Sequence, residues 1–187
     1  MAHHLACGKY SSRIDRHNHR TALLHRHIAA LHIYDGKLVK DLFSSSTSKR
    51  QIDLKLDSSF HSPLHLSIDT TISCILLPSY LPDTAVAASR PYAARAAHKI
   101  SKHAAECAAA GRAFLPFVGD TLGGIGPDAF VSWLKGLFAA ADLAARSDGG
   151  DHAAATFALD HLLCDLLATL VRDNHLMIER LTVRDRP

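Results

Sequence analysis

One stretch constrains the fold more than any other: LHLSIDTTISCILL, from Leu64 to Leu77. Leu64, Leu66, Ile68, Ile72 and Cys74 fall on one face of an extended chain, and His65, Ser67, Asp69, Thr71 and Ser73 on the other. A period of two is that of a β-strand, here with its polar face turned to solvent or a cleft. A shorter copy of the pattern precedes it. In Ile52-Asp53-Leu54-Lys55-Leu56 the apolar residues share one side, and Asp53 and Lys55 the other. The two segments are close enough in sequence to be sheet neighbours.

Helical patterns surround these strands. Ser12-Arg13-Ile14-Asp15 has the form of a capping box. It opens a helix expected from Arg13 to Ile33, with Leu24, Ile28 and Leu31 on one side and the turn pair Asp35-Gly36 at its end. KLVKDLF reads as a short strand, Ser44 to Ser48 as a loop, and PSYLPDT as the end of the long strand. Ser89-Arg90-Pro91 starts a helix that stops at Gly111. AFLPFV is a buried strand, GDTLGGIGPD a loop, and Gly126-Pro127 the start of a helix to about Arg146. The last helix, roughly His152 to Arg180, carries Leu159, Leu162, Leu163, Leu166, Leu167 and Leu170. The expected fold class is therefore α/β: a small mixed sheet in the order α-β-β-β-α-β, followed by two C-terminal helices.

At 187 residues and 48% hydrophobic, the chain has the size and composition of one globular domain. Its net charge of +3 permits a nucleic-acid partner without requiring one. Cys7, Cys74, Cys107 and Cys164 form no C-x-x-C pair, which argues against a disulfide framework or a complete zinc motif. Neither a signal-peptide core nor a membrane-spanning run is visible, so an intracellular, soluble chain with no membrane partner is expected, nucleus and cytoplasm being indistinguishable.

Asp53 and Asp69 are the residues with the clearest chemical potential. Two carboxylates on one sheet face suit a hard cation such as Mg²⁺, which can assist phosphodiester hydrolysis. The plainer alternative is two strand acids paired with nearby lysines. The histidine-rich start invites a zinc reading, but His17/His19 and His25/His27 are two residues apart and diverge on a helix. A solvated histidine-rich face explains them better. The glycine loop lacks both the GK[ST] ending and the G-x-G-x-x-G spacing, so no nucleotide cofactor is expected. Lys99, Lys102 and His103, with Arg90 and Arg95 upstream, could follow a phosphate backbone or form a solvated helix face with Glu106. Cys164 reads as a small core residue.

As a set, these residues look familiar. HHLAC…RIDRHNHRTALLHRH resembles a segment downstream of the reverse transcriptase domain in retroelement-type open reading frames of algae and other protists. There a zinc-knuckle-like C-x-x-C…H…C precedes R-H-N; here His3 and Cys7 match only the later half, and Arg16-His17-Asn18 the R-H-N. Ile52-Asp53-Leu54 and Ile68-Asp69-Thr70-Thr71 resemble the family's acidic strands, and Lys99 to His103 its K-x-x-K-Y helix. Phe114 to Val118 and Gly123 to Ala129 resemble its F-x-P-F…G-G-x-G-P-E-A block. The element order resembles the PD-(D/E)XK restriction-endonuclease-like fold.

The resemblance implies a truncated zinc-knuckle remnant over 1–12, an endonuclease-like domain over 13–146 and a helical extension over 147–187. It implies that Asp53 and Asp69 hold Mg²⁺, while the incomplete His3/Cys7 half-motif argues against zinc. The family's lysine two residues past the second acid is Thr71 here, and Gln51-Ile52 replaces the usual proline. Lys55, Lys99 or Lys102 would then have to supply the charge from another element. The first reading is a retroelement-derived, endonuclease-like fragment that is a degenerate copy without turnover; its active version is a Mg²⁺-dependent DNA endonuclease assisted by such a lysine. Two rivals stand beside these: a non-catalytic DNA- or RNA-binding module using Arg16, Arg20, Lys99 and Lys102, and a helical interaction protein using its leucine-rich last helix.

Overall fold

A computed structural model of the chain describes residues 12–31, 35–38, 52–57, 65–74, 79–87, 89–147 and 157–184. His3, Cys7, the Ser44 to Ser48 loop and the side chains of the capping box lie outside the described residues. The elements are α1 (Ser12–Ala30), β1 (Asp35–Leu38), β2 (Leu54–Asp57), β3 (Leu66–Ser73), α2 (Leu81–Val86), α3 (Arg90–Ala109), β4 (Ala113–Asp120), β5 (Ile125–Gly126), α4 (Asp128–Ser147) and α5 (Ala158–Arg184). The class is α/β with a small mixed sheet, as the alternating segments imply. Two short pieces are additions. PSYLPDT, expected to end the long strand, supplies the start of a six-residue helix instead, β3 having stopped at Ser73, and the glycine loop contains the two-residue β5.

The strands lie side by side in chain order, β1-β2-β3-β4-β5. Pairing is antiparallel except between β3 and β4, which are parallel and joined through α3. A parallel pair needs such a crossover, and a helix commonly provides it. The β2–β3 register sets Leu54 against Ile68 and Leu56 against Leu66. Extended one residue, it sets Asp53, just ahead of β2, opposite Asp69.

One sheet face builds the main core. Leu54, Leu56, Leu66, Ile68 and Phe117 pack there with Leu24 and Ile28 of α1, Phe130, Leu134 and Phe138 of α4, and Leu162 and Leu166 of α5. Phe117 and Phe130 stack with ring centroids 4.7 Å apart. The last helix thus shares the core of the α/β domain, although the sequence suggests a separate extension. The opposite face receives α3, whose His103 ring lies 5.6 Å from that of Phe114. Gly111, at φ +69°, ends α3 where the chain turns into β4, a conformation glycine adopts without a Cβ clash. No helix among the described residues is long and apolar enough to cross a membrane.

Candidate active site

The two acids singled out in the sequence come together at the β2–β3 boundary. Asp53 Oδ2 accepts hydrogen bonds from the Thr70 backbone N–H and the Thr70 hydroxyl, each at 2.6 Å. His17 of α1 brings Nε2 to 3.0 Å from the same oxygen. Asp69 projects from the other face of β3 toward α3, where Lys99 Nζ lies 2.7 Å and His103 Nε2 3.2 Å from its Oδ2. Lys99 and His103 reach one carboxylate because they are a helical turn apart. The period-two pattern explains why adjacent Asp69 and Thr70 serve opposite sides of the sheet.

These surroundings drive the acids in opposite directions. Burial alone would raise Asp53, but the His17 hydrogen bond, the His17 charge and the Thr70 hydroxyl outweigh it and hold the carboxyl at about 2. Burial raises Asp69; the Lys99 charge and hydrogen bond oppose this, neighbouring Asp53 adds to it, and the group settles at about 6. His17 is raised, chiefly by its hydrogen bond to Asp53 and against its own burial. The surroundings of Asp53 thus favour its ionised form, and those of Asp69 favour its protonated form, relative to an ordinary carboxyl group.

The His17–Asp53 pair has a defined stability window. Asp53 is lowered, so its contribution is present above its unfolded value near 3.8 and lost as pH falls toward about 2. His17 is raised, so its contribution is present below 6.5 and lost as pH rises through its folded value. His17→Ala is expected to cost about 1–2 kcal/mol near pH 5.5 and clearly less at pH 8.5. Urea midpoints at the two pH values check this; an equal loss at both would show that the pair's charge contributes nothing.

The remaining expected site residues go elsewhere. Lys55 pairs at 3.6 Å with Asp57 rather than joining the acids. Lys102 is exposed on α3. Arg16 and Arg20 are buried at 2% and 3% exposure, which corrects their expected place on a phosphate-binding surface. Arg16 donates to Asn174 Oδ1 at 3.1 Å, and Arg20 to the Asp120 carbonyl at 2.9 Å. Burial lowers Arg20 to about 10. Their spacing on α1 puts both on the inward side with Leu24, a phase their charge conceals.

Three partners of the acids carried little or no sequence signal. His17 was visible only as part of R-H-N and as one histidine on a helix; its reach to Asp53 depends on how α1 packs. Thr70 carries no signal beyond its place beside Asp69 in the strand. His103 belonged to a polar stripe, yet it is 1% exposed. The glycine loop is organised around Asp120, whose Oδ1 accepts from the N–H groups of Leu122 at 2.5 Å and Gly124 at 3.0 Å. Tyr92 hydroxyl donates to the other Asp120 oxygen. A Cβ on Gly124 would collide with both the Tyr92 hydroxyl and that carboxylate, so close packing requires a glycine here.

Among the described residues no group of three or more His, Cys, Asp or Glu side chains is placed to hold a metal ion, and the two carboxylates are the candidate oxygen donors for a hard cation. Both first candidates are carboxylates, and Mg²⁺ characteristically takes one or two of these while keeping water and substrate oxygens. Asp69 Oδ2 is buried, with Lys99 Nζ and His103 Nε2 both within ion-pair distance. Fold and site together define an α/β protein with a buried acidic pair beside a lysine. Comparison with known protein families, with curated proteins and with solved structures finds no match to the chain.

Proposed function

We infer that the chain is a retroelement-derived, endonuclease-like protein of the PD-(D/E)XK type, with a Mg²⁺-dependent centre for cleaving DNA strands. The observation that carries this reading is Lys99, 2.7 Å from Asp69, the second acid of the pair. A cationic nitrogen is needed at the scissile phosphate, and its position matters more than the element that supplies it. Thr71 cannot provide it; Lys99 does so from α3.

Asp53 and Asp69 are the residues that would hold the cation. When bound, Mg²⁺ neutralises phosphate charge and makes its water more acidic. His17 and Thr70 keep Asp53 ionised and fix its orientation. His103, buried against Phe114, limits how Asp69 can turn. Lys99, one-fifth exposed, sits where its ammonium can reach both Asp69 and a phosphate arriving from solvent. The non-catalytic binding reading is weaker, because its two arginines are interior.

Titration of Mn²⁺, as a probe for Mg²⁺, tests this reading. One site on the full chain is expected, lost in Asp53→Asn and in Asp69→Asn. Below about pH 6 a proton competes on Asp69, so affinity should fall about tenfold per pH unit. Binding that is unaffected by either substitution, or indifferent to pH between 5 and 7.5, would overturn it.

A further inference from the structure

The positive charge of the chain is concentrated on one helix. Helix α3 holds Arg90, Arg95, Lys99 and Lys102 against the single acid Glu106, a formal +3 that equals the net charge of the whole chain. Arg95, Lys99 and Lys102 are spaced by four and three residues and so follow one side of the helix, while Arg90 lies off this line. Lys99, in the middle, is tied to Asp69 at 2.7 Å. Arg95 Nε donates to the Ser73 hydroxyl at 3.3 Å, which sets the guanidinium over the end of β3. Lys102 is exposed. The exposed surface next to these three cations is formed by Ala94, Ser101 and Ala105, with His98 among them, so it is mostly short. Ala96, His103 and Cys107 are buried on the side that meets the sheet.

The length and borders of this stripe suit the backbone of a nucleic acid. Arg95 to Lys102 covers about 10 Å of helical rise. One DNA strand advances about 3.4 Å along the duplex axis per phosphate, so the three cations match about three phosphates. The short neighbouring side chains let a bulky backbone come close to the helix. We propose that this stripe is the track on which the sugar-phosphate backbone of one DNA strand lies, Arg95 and Lys102 holding the phosphates on either side of the one presented to Lys99. The inference rests on the proposed cleavage reading for the place of Lys99, and it adds Arg95 and Lys102 as positioning residues. Phosphate contacts fix where a duplex sits without reading its sequence. Cleavage guided by α3 alone is therefore indifferent to base sequence.

Fluorescence anisotropy of a labelled DNA duplex with the full chain in chelator, repeated across a salt series, tests the proposal. The logarithm of affinity should fall linearly with the logarithm of salt, with a slope shallower by about 0.9 in Arg95→Gln and again in Lys102→Gln. Each variant should lose the same affinity on duplexes of unrelated sequence. Lys135→Gln, on the exposed side of α4, should match the native chain. A slope unchanged in either variant, or a loss confined to one sequence, would overturn the proposal. So would polyglutamate that displaces the duplex as well as unlabelled DNA of equal charge. Shallower slopes in a chain that does not nick plasmid would keep the track and remove the cleavage reading. Nicking by a chain whose slopes do not change would keep the cleavage reading and overturn the track.

Discussion

Asp69→Asn is expected to stabilise the protein above neutral pH while reducing strand cleavage at least about a hundredfold. The first effect follows from linkage. An acid whose folded value is raised binds its proton more tightly in the native state, so its favourable contribution is full below 3.8 and is lost as pH rises through about 6. At pH 8 the native chain therefore bears the cost of a buried carboxylate that Lys99 only partly compensates. About two pH units corresponds to an upper limit of about 3 kcal/mol, and Lys99 left without its partner reduces this, so a gain of about 1–2 kcal/mol is expected. At pH 4 the two proteins should differ little. On the proposed function, the second effect follows from removing a proposed cation ligand and the anchor of Lys99, at the loss typical of a displaced electrostatic group. Urea midpoints across this pH range measure the first effect. A variant less stable than the native chain at pH 8 would show Asp69 to be a structural ion-pair member.

Arg112→Met is expected to produce the largest loss of stability, about 3–5 kcal/mol. Arg112 follows the α3 turn and is 8% exposed. Its Nη1 pairs with Asp57 at 2.7 Å, its Nη2 donates to the carbonyls of Leu56 at 2.7 Å and Leu66 at 2.6 Å, and its Nε donates to the Ser67 hydroxyl at 3.0 Å. The guanidinium thus closes the end of the β2–β3 pair where strand hydrogen bonding stops. Methionine fills much of the volume but leaves two buried carbonyls without donors. A shift in denaturation midpoint at unchanged slope is the expected signature. A loss below about 1 kcal/mol would mean that water replaces the guanidinium.

The elements legible in the sequence are those with one dominant period. The alternation around Asp69 locates β3, the Asp53 segment locates β2, and Ser89 to Gly111 bounds α3 closely. That Asp53 lies opposite Asp69 in register also follows from pattern, because antiparallel neighbours align residues of like phase; that one then turns to His17 and Thr70 and the other to Lys99 does not. The position of Lys99 does not follow. Three lysines were equivalent in sequence, and the choice among them depends on how α3 rotates against the sheet, which Ala96, His103 and Cys107 set by packing. Arg16 and Arg20 misled for a related reason: their charge suggests solvent, while the phase of α1 and the partners on α5 and β4 bring them inside. The leucine run of α5 was visible but not divisible, since only packing shows which leucines face the core.

If Asp53, Asp69 and Lys99 form the proposed cation-dependent centre for DNA strand cleavage, nicking of supercoiled plasmid reports it. The native chain should convert supercoiled to open-circular DNA with Mg²⁺ or Mn²⁺ and not with chelator, and folded Asp69→Asn should fail with either ion. Nicking unchanged by Asp69→Asn, or no nicking by the folded native chain with either ion, would contradict the claim.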